Sequence, residues 1–418
     1  MVELTCTGFV AGGAGLARGD DGRIVFVRGA LPGERVRVEI TERRKDFVRA
    51  EVREVLVASP DRVAPSCPHV ADGCGGCDWQ HVAASAQPAH KAAIVADALR
   101  RLARIPDAPV VAGEPGPSVG HRTSIRAAVR SGRAGYRKPS SHERVAVRSC
   151  LVAHPQLESL LVGGEWGSAA EVTLRIGAAT GERLALVAPH AAGVVLPPDA
   201  ADVIVVGLDE VGAGRAAYLH EVVGGVRFRI SATSFFQTQH AGAEALVRAV
   251  DAAVGDAAVG HAAVGHAEVE DAEVLLDLYS GVGLFAATVG ARFDTVVSVE
   301  RHGASALDAA HNLRGRSNAV SIAADVERWR PDAALSARRS RVVIADPARA
   351  GLGRGGVDTV LGCDARRVVL VSCDAAALGR DAGLLVAGGY RLVESRLVDV
   401  FAHTAHVEVV SRFDRTDS

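Results

Sequence analysis

The chain has 418 residues, of which 48% are hydrophobic and 23% charged, with a net charge of −2. That is ordinary globular composition with room for roughly two to four domains, and it excludes a global electrostatic attraction to nucleic acid. Met1 to Gly8 carry no basic stretch followed by an apolar one, and no apolar run approaches the ~18 residues that cross a bilayer. A cytoplasmic protein with no membrane partner is expected.

Residues 1–60 read as short β segments broken by turns at Gly12-Gly13-Ala14-Gly15 and Leu31-Pro32-Gly33-Glu34. A small β-barrel of the oligonucleotide-binding kind is the economical expectation, because closure removes exposed edges. Arg43, Arg44, Lys45, Arg49 and Arg53 form one basic cluster, and Arg122, Arg126, Arg130, Arg133, Arg137 and Lys138 a second. Either cluster is as readable as a solvated strand face as an RNA contact. Lys91–Leu102 has helical spacing of its apolar positions. From about 120 to 230 the pattern is strand-like (Thr173–Ile176, Leu184–Val187, Val203–Val206, Val226–Ile230), which predicts a second β-rich domain; residues 240–251 are helical in pattern. Residues 252–274 nearly repeat a five-residue unit, a period of neither helix nor strand, and read as a poorly ordered linker. Apolar runs then alternate with helical stretches at Val274–Tyr279, Val296–Glu300, Val342–Asp346 and Val368–Ser372, the texture of a parallel, doubly wound sheet. The expected division is 1–60, 61–235 and 236–418. The fold class is α/β plus β.

Ligands of open α/β sheets bind outside the carboxyl ends of the strands. Those ends carry Asp277-Leu-Tyr279-Ser-Gly281-Val-Gly283, Glu300, Asp325, Asp346-Pro347 and Ser372-Cys373. Gly281 and Gly283 permit a tight turn beside a ligand, and an acid after the second strand suits a ribose. With Ala286 the turn also fits a dinucleotide fingerprint. Carboxylates repel a pyrophosphate but tolerate a sulfonium, which favours S-adenosylmethionine over NAD. Cys373 precedes a predicted helix, Ala375–Leu385, whose dipole would lower the thiol pKa and make it a nucleophile; an inert strand-end cysteine is the alternative. Glu408, in His406-Val-Glu-Val-Val410, is either a solvent-facing residue on an edge strand, which its position favours, or a desolvated base.

Seven cysteines in such a chain argue against a disulfide framework. Cys67, Cys74 and Cys77 crowd together and need one more ligand, for which Cys150, His69 and His81 are candidates; thiolates in this number suit zinc or an iron–sulfur cluster. Cys6 and Cys363 read as buried and inert.

These segments together resemble the uridine-5 methyltransferases of the 23S rRNA and tRNA type. Phe26-Val-Arg-Gly-Ala-Leu-Pro-Gly-Glu34 resembles a TRAM domain, and Cys67-Pro-His69 through Cys74-Gly-Gly-Cys77, Gln80-His81 and Arg148-Ser-Cys150 resemble the family's cluster ligands. Ser234-Phe-Phe-Gln237, Asp277–Gly283 and Glu300 are similar to its donor-binding segments, and Asp346-Pro-Ala-Arg-Ala-Gly351 to its DPxRAG motif. Val371-Ser-Cys373 with Arg380-Asp381, and Asp399-Val-Phe-Ala-His403-Thr-Ala-His-Val-Glu408, resemble its catalytic segments. Asp374-Ala375 depart from the family's Asn-Pro, Thr123 from its asparagine, and Ser280 stands where cysteine is common.

The resemblance implies a Rossmann-like methyltransferase domain and a [4Fe–4S] cluster held by Cys67, Cys74, Cys77 and Cys150. It implies S-adenosylmethionine bound by Gln237, Tyr279, Gly281, Gly283, Glu300, Asp325 and Asp346. It further implies Cys373 as nucleophile and Glu408 as base in methylation of a uridine at C5. RNA is the implied partner, 23S rRNA before tRNA, and a monomer is expected. Alternatives from other classes are an NAD-dependent dehydrogenase and a non-catalytic RNA-binding assembly factor.

Overall fold

A computed structural model describes residues 1–255, 273–336, 338 and 341–416. The first 57 residues form one six-stranded sheet; its longest pairing joins Arg35–Arg43 to Phe47–Val57, antiparallel with several register shifts. Alternate residues of these strands, among them Val36, Val38, Val48 and Ala50, fill a separate small core that also takes in Cys6. A second six-stranded sheet runs from Ser124–Arg130 to Ile204–Gly207, with the helix Pro155–Gly163 packed on it.

The largest sheet has eight strands. In spatial order they are Ala319–Ala323, Thr295–Glu300, Val274–Leu278, Arg341–Ala345, Arg367–Ser372, Val409–Arg415, Tyr390–Leu397 and Val110–Val111. The first five are parallel and Val409–Arg415 runs antiparallel. Both faces are buried, which is why these strands read as continuous apolar runs. Val274, Leu276 and Leu278 face one core with Val343, Ala345, Val368 and Leu370. Leu275 faces the other with Val342, Ile344, Val369 and Val371. The helix Ala375–Ala387 covers the first face and His240–Val254 the second.

Three features differ from the sequence expectation. The strand Val226–Ser231 leaves the central sheet and pairs only with Tyr218–Val223, and the apolar side of this hairpin packs against His240–Val254. The helix Gln87–Ala98, within the stretch placed in the central domain, buries Ile94, Val95 and Ala98 on the first face of the eight-stranded sheet. Ala252–Val254 complete a helix and Val274 opens a strand, so the supposed linker is shorter than 252–274; its residues 256–272 lie outside the described residues. Among the described residues no helix is long and apolar enough to cross a membrane.

Candidate active site

The chain enters the parallel sheet at Val274–Leu278, builds outward to Ala319–Ala323, then returns to pair Arg341–Ala345 on the other side of the first strand. This reversal opens a crevice at the carboxyl ends of Val274–Leu278 and Arg341–Ala345. Asp277, fully buried, accepts a hydrogen bond from the Ala286 amide through Oδ2 at 2.9 Å, while Oδ1 has no partner. Burial, with Asp346 and Glu300 nearby, pushes its carboxyl up to about 8. Tyr279 has φ +59° and Gly281 and Gly283 have φ +55° and +86°, so three of five consecutive residues turn through the left-handed region. Glu300 holds that turn, accepting from the Gly281 amide at 2.9 Å and the His302 amide at 2.6 Å. Asp325 lies two residues beyond its strand rather than at its end, where Oδ1 accepts from the Glu327 amide at 3.1 Å. The Tyr279 hydroxyl is buried without a partner, and burial, then Glu327 and Asp325, push it up to about 12.

Asp346 follows its strand directly, and the loop after it is pinned from behind. Asp381, 1% exposed, accepts from the Leu352 amide at 2.7 Å and the Gly353 amide at 3.1 Å. At Gly351 any Cβ would stand 2.3 Å from Asp381 Oδ2, and φ is +82°, so only glycine fits. Cys373 sits between Arg367–Ser372 and the helix Ala375–Ala387. Asp374 caps that helix, accepting from Ala376 and Ala377 at 3.0 and 2.9 Å. The cap occupies the amides expected to favour a thiolate. Burial, then Glu408 and Asp346, instead push the Cys373 thiol up to about 11. The expected lowering is therefore overturned, by burial first and then by two carboxyls from distant segments. Asp374, which stands where the family has asparagine, thus caps the helix that follows the thiol.

Glu408 is 4% exposed. The strand it precedes lies between Arg367–Ser372 and Tyr390–Leu397, so the edge-strand reading is overturned. Burial and then Asp346 raise its carboxyl well above the usual range, and Asp346 is raised by the same burial. One thiol and two carboxyls of raised proton affinity thus converge beside the crevice.

Comparison with known proteins gives the family. The TRAM domain family matches residues 2–53. An RNA methyltransferase of Streptomyces avermitilis is 33% identical, covering 96% of this chain and 95% of that protein. The 23S rRNA (uracil(1939)-C(5))-methyltransferase RlmD of Pectobacterium carotovorum subsp. carotovorum is 31% identical, covering 99% and 93%. The chain belongs to the S-adenosylmethionine-dependent RNA (uracil-5-)-methyltransferase family. A structure of Pyrococcus abyssi tRNA (uracil-54, C5)-methyltransferase in complex with S-adenosyl-L-homocysteine matches with a TM-score of 0.69 over 99% of this chain and 100% of that one. At 22% identity that likeness establishes the shared fold.

Within this methyltransferase the remaining predicted residues fall in two places. Cys67, Cys74, Cys77 and Cys150 line one cavity together with Arg122 and Tyr136. His69 also lines it, but its Nδ1 meets Asp72 at 2.9 Å and its Nε2 accepts from the Arg148 amide at 3.0 Å, so it has no free nitrogen to give. Among the described residues no group of three or more His, Cys, Asp or Glu is arranged to hold a single metal ion. Gly75 is explained by packing rather than by a ligand: a Cβ there would stand 2.6 Å from the Arg137 carbonyl. Gln237 lies in the loop before His240–Val254, half-buried. Sequence reasoning missed what fixes that loop. Asp308, fully buried, accepts from Ser231 N and Oγ at 2.8 Å and from Ser234 Oγ at 2.6 Å. An aspartate on the buried side of an apolar helix was its only signal.

The basic clusters are partly neutralised. Glu42 pairs with Arg44 and Arg49, Glu39 with Arg53, and Glu171 with Arg126 and Arg137. Such exposed pairs contribute little stability, yet they reduce the charge left for phosphate.

Proposed function

We propose that this methyltransferase transfers a methyl group to C5 of a uridine in 23S rRNA through a covalent bond between Cys373 and C6. The observation that carries the chemistry is the grouping of the Cys373 thiol with the Asp346 and Glu408 carboxyls at the strand ends. The substrate follows from relatives named for 23S rRNA that match nearly the whole chain.

The Cys373 sulfur forms a bond to C6 while its proton passes to Asp346, and the pyrimidine electrons move to C5. S-adenosylmethionine, when bound, supplies the electrophilic methyl group that C5 takes. Glu408 then removes the C5 proton, the C6–S bond breaks, and the sulfur recovers the first proton; one proton is released overall. Two carboxyls of raised affinity suit two protons held at different stages. The uridine must leave its stack to reach a thiol recessed at a strand end. Gln237, Tyr279, Gly281, Gly283, Glu300, Asp325 and Asp346 form the donor site in this reading. The buried Asp277 Oδ1, which has no partner among the described residues, leaves it a polar atom to meet the ligand.

Incubation with methyl-labelled S-adenosylmethionine is expected to label a 23S rRNA transcript in 5-methyluridine and to leave tRNA transcripts unlabelled. Labelling of tRNA alone would overturn the substrate assignment.

We read the four cysteines as ligands of an iron–sulfur cluster rather than of zinc. Four thiolates lining one cavity suit either centre, and the resemblance of Cys67 to Cys77 and Arg148-Ser-Cys150 to the family's cluster ligands favours the cluster. Cys67, Cys74, Cys77 and Cys150 would hold it as a structural or RNA-contacting centre. Protein purified without oxygen is expected to carry iron and acid-labile sulfide, both lost in Cys77→Ser; stoichiometric zinc instead would refute the assignment.

A further inference from the structure

The catalytic segment ends in a loop, 398–408, with no helix or strand, closed at its base by the Val398 amide donating to the Glu408 carbonyl at 2.8 Å. Such a loop must find partners elsewhere for its backbone groups. Some bonds stay inside the loop, and Gly116 and Ser118 meet the Asp399 and His403 side chains; the other backbone partners come from residues 78–91. Trp79 N donates to the His403 carbonyl at 2.9 Å, and the His403 amide donates to Gln87 Oε1 at 2.8 Å. The Ala405 amide donates to Asp78 Oδ1 at 3.1 Å. Lys91 Nζ donates to Asp399 Oδ1 at 2.7 Å and to the Phe401 carbonyl at 2.9 Å.

The grip is buried and strained. Gln87 is fully buried, Lys91 is 1% exposed, and the Gln87 amide nitrogen is itself committed to the Trp79 and Val82 carbonyls. His403 has φ +62°, a conformation costly for a residue with a Cβ, and it is held on both sides by Gln87 and Trp79. A buried lysine paired with one carboxylate is a poor source of net stability, which leaves specification of one conformation as its use.

We propose that Gln87 and Lys91 are positioning residues that hold the 398–408 loop so that Glu408 can reach the C5 proton. The proposal rests on Glu408 acting as the base. Loss of the grip should spare addition of Cys373 and methyl transfer but slow resolution of the adduct.

The test compares wild type, Lys91→Met, Lys91→Arg, Gln87→Met and Glu408→Gln on one uridine-containing 23S fragment, reading turnover, KM for S-adenosylmethionine and denaturation-resistant protein–RNA adduct. Lys91→Met is expected to lose at least ~10-fold in kcat, to keep KM within about two-fold, and to accumulate adduct as Glu408→Gln does. Lys91→Arg should restore most of the turnover. If Lys91→Met does not fold, Gln87→Met, which keeps the ion pair, is expected to show the same adduct. Full turnover in the folded variants, or lost turnover without adduct while Glu408→Gln accumulates it, would overturn the grip. Absence of adduct in Glu408→Gln would overturn the base assignment and the grip together.

Discussion

Cys373→Ala is expected to lower methyl transfer by at least ~10⁴-fold while leaving S-adenosylmethionine affinity within about two-fold. C5 of a uridine is electron-poor until C6 is attacked, and Cys6, Cys363 and the cavity cysteines lie elsewhere, so no other thiol can substitute. Donor affinity is spared because the turn formed by Tyr279, Gly281 and Gly283 and held by Glu300 comes from different strand ends. Because burial and the neighbouring carboxyls raise the thiol to about 11, and the carboxyls are raised too, ionisation of all three groups favours the reactive form. The kcat/KM profile should therefore climb with pH through neutrality and above. Transfer kinetics and donor titration check both parts; a variant above about one-tenth of wild-type rate would exclude the thiol.

Glu408→Gln is expected to behave differently from Cys373→Ala although the two side chains are neighbours. The amide is nearly isosteric, so addition and a single methyl transfer should proceed, but no base remains to remove the C5 proton. Turnover should fall about 10²–10⁴-fold while methylated, covalently bound RNA accumulates. Gel separation under denaturing conditions, with the methyl label carried on the protein band, reads this directly. Equal loss of adduct and turnover would mean that Glu408 acts before the bond forms.

The parallel sheet was legible in the sequence because strands buried on both faces are nearly all apolar, as at Val274–Leu278, broken only by Asp277, and at Arg341–Ala345 after its first residue. The crevice was legible for the same reason, since its acids interrupt those runs at their ends. The ionisation of Cys373 was not, because it is set by burial and then by Glu408 and Asp346, which only the folded sheet brings near. Glu408 was misjudged because its strand, last in sequence, inserts between two others instead of ending the sheet. The role of residues 78–91 was hidden by distance along the chain: Lys91 and Asp399 are separated by 308 residues. Helical spacing at Lys91–Leu102 predicted a helix, which spans Gln87–Ala98, but not the face that it presents to the catalytic sheet.

The central claim is covalent catalysis by Cys373 on uridine, and a fluorinated substrate tests it most directly. With fluorine in place of the C5 hydrogen there is no proton for Glu408 to remove. A 5-fluorouridine-substituted 23S fragment with S-adenosylmethionine is then predicted to leave a stable adduct that mass spectrometry maps to Cys373 and that carries the transferred methyl group. No adduct from a protein that methylates the unsubstituted fragment, or an adduct mapped to another residue, would contradict the account.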